Sequence, residues 1–187
     1  MTLIVILFPL FLVVAVLIKA ESEGEVIYGR KCVKKDGTYI MYKFRSMYSD
    51  ANNLEKYLTP EQIEEHKKEI KVENDPRVTK VGRFIRKTSI DELPQLFDVL
   101  KGDMSLVGPR PIAVGEEGNF GEGVEKVLSV KPGMTGYWQT HGRSKATYES
   151  GERQRLELYY VDNCSIWMDI KILFATVGVV LSKKGAH

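Results

Sequence analysis

The chain begins with an unbroken apolar segment, whereas the rest of the sequence mixes apolar and charged positions. The first eighteen residues, MTLIVILFPLFLVVAVLI, are apolar except for Thr2. As a straight helix they would be about 27 Å long, which is near the minimum for crossing a bilayer. No basic residues precede the segment and no small-x-small cleavage site follows it, so the pattern of a signal peptide is lacking. We therefore predict a membrane-embedded helix over residues 1–19.

Pro9 lies in the middle of this apolar segment. A proline removes one backbone hydrogen bond and clashes with the carbonyl four residues earlier, so it kinks or breaks a helix. The pattern therefore predicts a helix break at Pro9. It leaves two paths open, because a kinked segment can cross the bilayer or can turn back to the side that it entered.

The polar part of the chain, residues 20–187, predicts one mixed α/β domain that is mainly helical. Two β-rich runs flank Asp36-Gly37, and this dipeptide between such runs is a strong hairpin signal. Thr59-Pro60-Glu61-Gln62 has an N-cap, a proline at the first helical position and a capping glutamine, so a surface helix should start there. Residues 81–99 predict short helices around an acidic pair.

A second apolar stretch, WMDIKILFATVGVVLS, extends from Trp167 to Ser182. It contains Asp169 and Lys171, which disfavour a full membrane span. We predict an amphipathic helix that lies at a membrane interface or in the core.

The charge balance excludes some classes of partner. The formal net charge is only +2 and charged residues make up 28% of the chain, which argues against a polyanion-binding tail. The run RVTKVGRFIRK, residues 77–87, has no acid and is either a solvated face or a surface for phosphate or anionic lipid. No nucleic-acid motif occurs, so we expect no nucleic-acid partner. The two cysteines and three histidines are scattered, which predicts neither a zinc site nor a disulfide.

The acidic pair Asp91-Glu92 has two interpretations. Ser89-Ile90-Asp91-Glu92 fits a capping box, in which Ser89 caps a helix and Glu92 bonds back to it. The alternative is half of an active site. Adjacent residues of a helix point about 100° apart, so the two carboxylates can do different jobs.

Cations that suit phosphate accompany this pair. Arginine presents a planar fork that matches phosphate oxygens, and a carboxylate that attacks a phosphate needs nearby cations to offset repulsion. A divalent cation held by a neighbouring carboxylate is the usual remedy. The side chains required for phosphoryl transfer to an aspartate are therefore present, although spacing alone does not show that they converge. The candidates stand in turn or strand contexts: Lys43, Arg45, Arg86, Arg110 and Arg143.

Several long motifs occur in an order that resembles a known family. They are KFRSM (43–47), DPRVTKVGRFIR (75–86), DELPQLFDVLKGDMSLVGPRP (91–111), KPGMTGYWQTHGR (131–143), YYVDN (159–163) and the ending from DIKIL to KKGAH. Together they resemble the monotopic phosphoglycosyl transferases, the bacterial sugar transferase family, over nearly the whole chain. The ending KKGAH is similar to the larger members, so we expect this chain to correspond to their catalytic domain. Those members carry further membrane helices and another domain before it, and we expect a truncated or degenerate form.

The resemblance implies an activity and a place. Such enzymes transfer a sugar-1-phosphate from a UDP-sugar to undecaprenyl phosphate and release UMP, which starts polysaccharide or glycoconjugate assembly. They act at the cytoplasmic face of the bacterial inner membrane. Their apolar start is a re-entrant helix, and they use Mg²⁺. A homodimer and the identity of the sugar stay open.

The resemblance also implies roles for individual residues. Asp91 would be the nucleophile that forms a covalent phospho-sugar intermediate, and Glu92 would help to hold Mg²⁺. The five cations given above would contact phosphate and nucleotide. Glu157 and Asp169 match polar positions near the site, with Asp169 as a second candidate metal ligand. The chain departs from the family at the helix break, which usually reads Ser-Pro and here reads Phe8-Pro9.

A non-catalytic interpretation remains beside this one. In it the chain is a membrane-docked scaffold, the acidic pair only caps a helix, and the basic run 77–87 binds anionic lipid.

Overall fold

The computed structural model describes residues 2–69, 72, 74–142 and 146–182. Within these ranges the chain is mixed α/β and mainly helical, as the sequence predicts. The helices are α1 (Thr2–Glu21), α2 (Leu54–Tyr57), α3 (Pro60–Glu69), α4 (Lys80–Lys87), α5 (Gln95–Lys101), α6 (Val124–Leu128), α7 (Tyr137–His141), α8 (Glu152–Asn163) and α9 (Ile166–Ser182), with 3-10 turns η1 (Ile90–Glu92) and η2 (Glu117–Gly123). The strands are β1 (Ile27–Lys34), β2 (Gly37–Phe44), β3 (Ser105–Val107) and β4 (Gly133–Thr135).

The chain separates into two compact units. Of the described residues, the first contains those up to Tyr28 together with those within Lys43–Pro94, and the second contains Gly29–Tyr42 together with those from Gln95 to Ser182. The backbone passes between them within β1 and β2, which form the predicted antiparallel hairpin. Gly37 follows the turn with φ of +127°, a conformation that favours glycine. The prediction of a single domain stays a prediction.

One half of helix α1 packs against other elements of the first unit. Val14 and Ile18 are buried with Phe44 of β2 and Ile85 of α4, and Phe11 packs edge-on against the Phe44 ring. The remaining apolar surface of the helix is exposed, and only 11% of its most apolar stretch is buried. Length and composition make Leu3–Glu21 able to cross a membrane. A helix this exposed and this apolar is not the core helix of a soluble protein.

Pro9 lies inside α1 and does not end it, because the helix is continuous from Thr2 to Glu21. The proline removes only the hydrogen bond that would reach the Val5 carbonyl, and one lost bond does not interrupt a long apolar helix. The predicted break therefore does not show as an end of the helix. The path of this segment in a bilayer stays a prediction.

The end of α1 is tied to α4 by a side-chain cap. The Glu21 carboxylate accepts hydrogen bonds from the backbone N–H groups of Lys80 and Val81, at 2.6 and 2.8 Å. Thr79 caps the same helix and accepts from the Gly82 N–H at 2.8 Å. Gly82 is required there, since a Cβ atom would lie 1.9 Å from the Ser46 carbonyl oxygen. These contacts hold the start of the basic helix α4 against the end of α1 and against Ser46.

In the second unit a short parallel pair of strands joins two of the sequence motifs. Strands β3 and β4 pair in the register Ser105↔Gly133 and Val107↔Thr135. After β3, the backbone at Gly108 lies directly against the backbone at Gly133. A Cβ atom on Gly133 would be only 2.1 Å from the Gly108 nitrogen. This close approach holds the Gly-Pro-Arg-Pro turn against the KPGMTG segment.

Helix α9 buries one side and exposes the other. Ile172 is buried beside Tyr160 and Val107, whereas Ile166, Trp167, Phe174 and Val177 are exposed. Both the buried and the exposed side of α9 carry apolar residues, so the amphipathic character predicted for residues 167–182 and its placement at a membrane interface stay predictions.

Candidate active site

The acidic pair lies in a 3-10 turn, and the residue before it is strained and gives no side-chain cap. Ser89, the residue before the turn, has φ of +56° and its side chain makes no capping hydrogen bond. A non-glycine residue held in this conformation costs about 1–3 kcal/mol, and such residues cluster at functional sites. The capping-box interpretation of Ser89–Glu92 is therefore wrong, because a partner from elsewhere in the chain engages Glu92.

That partner is Lys43 at the end of β2. Its Nζ lies 2.6 Å from Glu92 Oε1, although 49 residues separate the two in sequence. The Glu92 side chain is partly exposed, whereas Asp91 is buried with 8% exposure. The two carboxylates thus differ in their exposure to solvent. Lys43 and the dyad belong to the same compact unit.

Arg86 adds a second cation beside the dyad. Its Nε donates a hydrogen bond to Ser46 Oγ at 2.8 Å. Burial lowers the pKa of the Arg86 guanidinium, and the neighbouring charges of Asp91 and Asp75 oppose this shift. A lysine and a half-buried arginine therefore accompany the two carboxylates, which is the charge arrangement that an incoming phosphate requires.

Arg45 has a different place from the one that its motif suggests. Its guanidinium closes the loop after α1: it donates to the Glu25 carbonyl at 2.5 Å, to the Ser22 hydroxyl at 2.6 Å and to the Ser22 carbonyl at 2.9 Å. The residue is 8% exposed. Arg45 acts here as a structural clasp between α1 and β2. Its contact with phosphate stays a prediction, and that contact would break these bonds.

Arg110 lies in the second unit, where Glu157 fixes its backbone. The Arg110 N–H donates to both carboxylate oxygens of Glu157, at 3.3 and 3.2 Å. Glu157 is almost fully buried, with 1% exposure. Burial raises the pKa of Glu157 to about 7, and the charges of Arg153 and Arg110 oppose that shift. Glu157 therefore holds the Gly-Pro-Arg-Pro turn in place.

Sequence reasoning missed Arg153. Its guanidinium lies between two aromatic rings, 4.2 Å from the centre of the Trp138 ring and 4.0 Å from that of Tyr148. Trp138 also lies 5.6 Å from the Arg110 guanidinium. The one signal in the sequence was the spacing of Arg153 and Glu157, four residues apart and therefore on one side of α8.

Asp169 is engaged in packing. Its carboxylate accepts a hydrogen bond from the Tyr160 hydroxyl at 2.8 Å, which ties α8 to α9. Its role as a metal ligand stays a prediction. Arg143 lies outside the described residues.

The dyad suits Mg²⁺ only in part. Among the described residues no group of three or more His, Cys, Asp or Glu side chains is placed to hold a metal ion. Mg²⁺ does not need such a group, since one or two carboxylates with water and substrate phosphates commonly hold it. Glu92 fits this smaller role, provided that it shares its carboxylate with Lys43.

The sequence matches a described family over almost its whole length. The family of bacterial sugar transferases matches residues 1–183. The chain belongs to this family.

Individual relatives in the family have informative names. The chain is 49% identical to the undecaprenyl-phosphate galactose phosphotransferase of Salmonella typhimurium over 168 residues, 88% of this chain and 35% of that protein. It is 43% identical to the UDP-galactose-lipid carrier transferase of Erwinia amylovora, over 100% of this chain and 39% of that protein. It is 37% identical to the exopolysaccharide production protein ExoY of Rhizobium meliloti, over 96% of this chain and 80% of that protein. The chain therefore spans only 35% and 39% of the lengths of the first two relatives.

Proposed function

We propose that this chain is a phosphoglycosyl transferase, which transfers a sugar-1-phosphate from a UDP-sugar to undecaprenyl phosphate. The observation that carries the proposal is the Asp91–Glu92 turn. It is strained at Ser89, the Ser89 side chain makes no capping bond, and Lys43 and Arg86 accompany the two carboxylates. Family membership supports the acceptor, because relatives are named for undecaprenyl phosphate or a lipid carrier.

The proposed chemistry has two steps. The Asp91 carboxylate attacks the phosphorus atom attached to the sugar, the bond between the two phosphates breaks, and UMP leaves. A phosphate oxygen of the lipid then attacks the resulting acyl phosphate, which frees Asp91 and forms the lipid-linked diphosphate sugar. Covalent catalysis of this type divides one difficult displacement into two easier ones.

Each neighbour of Asp91 has a part in this proposal. Lys43 and Arg86 offset the negative charge that gathers when a carboxylate approaches a phosphate. Glu92 would hold Mg²⁺, which would supply further positive charge at the phosphate oxygens. Arg110 belongs to the other compact unit, and its contact with a phosphate stays a prediction.

We further propose that α1 embeds in the cytoplasmic face of a bacterial inner membrane. Its exposed apolar surface supports this place, because lipid is the medium that suits such a surface. In the re-entrant form, both ends of the helix face the cytoplasm. A cysteine placed at residue 2 should then be labelled only from the cytoplasmic side. Labelling only from the outside would contradict the re-entrant path.

The scaffold alternative has lost one of its two supports. It required the acidic pair to cap a helix, and Ser89 makes no such bond. Its other support is the exposed basic side of α4, where Lys80, Arg83 and Lys87 accompany an exposed Phe84. That surface is compatible with a catalytic role as well, since an enzyme in a membrane also meets anionic lipid.

A UMP-release assay tests the proposed function. The chain in detergent or nanodiscs is incubated with undecaprenyl phosphate, Mg²⁺ and a panel of UDP-sugars. UDP-galactose is the first donor to try, because two relatives are named for galactose. We expect release of UMP with one donor and formation of a lipid-linked product. A panel without any UMP or lipid product would contradict the proposal.

A further inference from the structure

Two arginines lie beside the same indole ring in the second compact unit. The Arg153 guanidinium is 4.2 Å from the centre of the Trp138 ring, and the Arg110 guanidinium is 5.6 Å from it. Tyr148 covers Arg153 from a distance of 4.0 Å. Stacking between two rings restricts the orientation of Arg153, so its planar fork is held in advance of any ligand.

Neither guanidinium has a hydrogen bond or an ion pair with another residue of the described ranges. The Nε atom of Arg153 is buried there without a partner. A buried donor without a protein partner is costly, and a water molecule, an ion or a ligand can remove that cost.

The carboxylate of Glu157 forms no ion pair with either guanidinium group. Glu157 directs both oxygens to the backbone N–H of Arg110 rather than to a guanidinium. Glu116 is likewise engaged, because it pairs with Arg30. Burial, followed by the charge of Arg110, lowers the pKa of Arg153 to about 10. Arg110 and Arg153 are thus partly desolvated, and the carboxylate of Glu157 is already bonded to a backbone N–H. A bound anion would offset the cost of desolvating the two guanidinium groups.

We propose that Arg110 and Arg153 form a seat for one phosphate group of a nucleotide. Trp138 and Tyr148 hold the Arg153 side chain, and Glu157 holds the turn that carries Arg110. The identity of the ligand rests on the proposed function, in which the donor is a nucleotide sugar. The new element is Arg153, which becomes a phosphate-binding residue held by aromatic rings.

The geometry explains why the two cations are arginines. An arginine offers several N–H donors in one plane and stacks on aromatic faces, whereas a lysine offers a single point charge. Two guanidinium groups can therefore contact different oxygens of one phosphate.

Trp138 supplies the signal for a direct test. The chain has two tryptophans, and the other, Trp167, is exposed on α9. Trp167→Phe therefore leaves Trp138 as the only reporter, beside both guanidinium groups. Its fluorescence is titrated with UDP, with UMP and with uridine, and UDP is also competed with inorganic phosphate. We expect UDP and UMP to bind, uridine to bind at least about tenfold more weakly, and phosphate to displace UDP.

Arg153→Met tests the seat itself. Methionine fills the space between the two rings but has no charge and no donor. We expect UDP affinity to fall at least about tenfold, while uridine affinity stays unchanged. The matched control is Arg155→Met on the same helix, since Arg155 is exposed and pairs with Glu152. This control should bind UDP as the parent does. If Arg153→Met fails to fold, as judged by circular dichroism, Arg153→Gln replaces it.

The outcomes separate this proposal from the proposed function. UDP binding of parental strength in both Arg153 variants would overturn the seat and leave Arg153 as a packing residue, even if UMP release from UDP-sugar proceeds. If the Arg153 variant binds UDP more weakly than the parent, but the parent transfers no sugar phosphate, the seat is supported and the proposed function is contradicted. The titration needs no lipid acceptor, so the two readouts are independent.

Discussion

The chain contains the same helix-start pattern twice, at Thr59–Gln62 and at Ser89–Glu92, and the two copies fold differently. In the first copy the Gln62 N–H donates to Thr59 Oγ1 at 3.3 Å, and the Thr59 N–H donates to Gln62 Oε1 at 3.1 Å. This is a complete capping box, and α3 follows it. In the second copy the serine has a left-handed backbone and makes no cap.

The difference shows that a contact with a residue far away in sequence can override a local capping pattern. Nothing outside the first motif contributes to its two capping bonds, so the local preference decides the structure. In the second motif Lys43 engages Glu92 from 49 residues away, and the capping bond is lost. A capping bond contributes about 1 kcal/mol, and the strain at Ser89 costs a similar amount. A protein retains such an arrangement where the side chains have another task, which is the chemistry that we propose for Asp91.

The largest expected effect is that of Asp91→Asn. An amide is a poor nucleophile at phosphorus, so sugar-phosphate transfer should fall by about a thousandfold or more. Asparagine keeps the shape of aspartate, and we expect the melting temperature to change little. Rates with the preferred UDP-sugar and circular dichroism melts measure both quantities. Substantial remaining activity would return the second motif to a structural role.

Glu92→Gln should have the next largest effect, and the reciprocal change in the first motif is its control. Glu92→Gln makes the second copy chemically like the first and removes the charge that pairs with Lys43 and would hold Mg²⁺. We expect activity to fall about a hundredfold, which corresponds to ~2.7 kcal/mol of transition-state stabilisation, and to depend less on Mg²⁺. The reciprocal change, Gln62→Glu, preserves a capping box and should leave the rate unchanged. Equal rates for the two variants would remove the distinction between the motifs.

The smallest effects concern stability alone. Thr59→Ala removes a capping bond and should lower the free energy of unfolding by about 0.5–2 kcal/mol. Ser89→Ala removes no such bond, so we expect a change within about 0.5 kcal/mol. Urea denaturation of both variants gives the comparison. A larger loss for Ser89→Ala than for Thr59→Ala would mean that the serine hydroxyl does cap the turn in solution.

Local signals in the sequence predicted the elements well, for identifiable reasons. Asp36-Gly37 specifies a tight turn by itself, and the hairpin formed around it. The same holds for the cap at Thr59. Residues 81–99 gave short helices, as their pattern predicts, with the acidic pair between α4 and α5.

The site was less predictable because its contacts are long-range. Arg45 stands in a family motif, yet its guanidinium donates to the carbonyls of Ser22 and Glu25, which lie 23 and 20 residues earlier in the chain. Arg153 gave almost no signal, since its partners Trp138 and Tyr148 come from other parts of the chain. Asp169 carried the right chemistry for a metal, but Tyr160 engages its carboxylate. A sequence shows which side chains could bind a ligand, and the fold decides which of them already bond to other parts of the protein.

The central claim is that Asp91 becomes covalently attached to the sugar phosphate, and a reaction without lipid tests it most directly. The chain is mixed with Mg²⁺ and the UDP-sugar that supports transfer, then quenched rapidly, and UMP is measured together with the mass of each peptide. We predict a burst of up to one UMP per active site and a mass increase of one sugar phosphate on the peptide that contains Asp91. Asp91→Asn should give neither. An enzyme that is active with lipid, but releases no UMP and carries no adduct without it, would contradict the account.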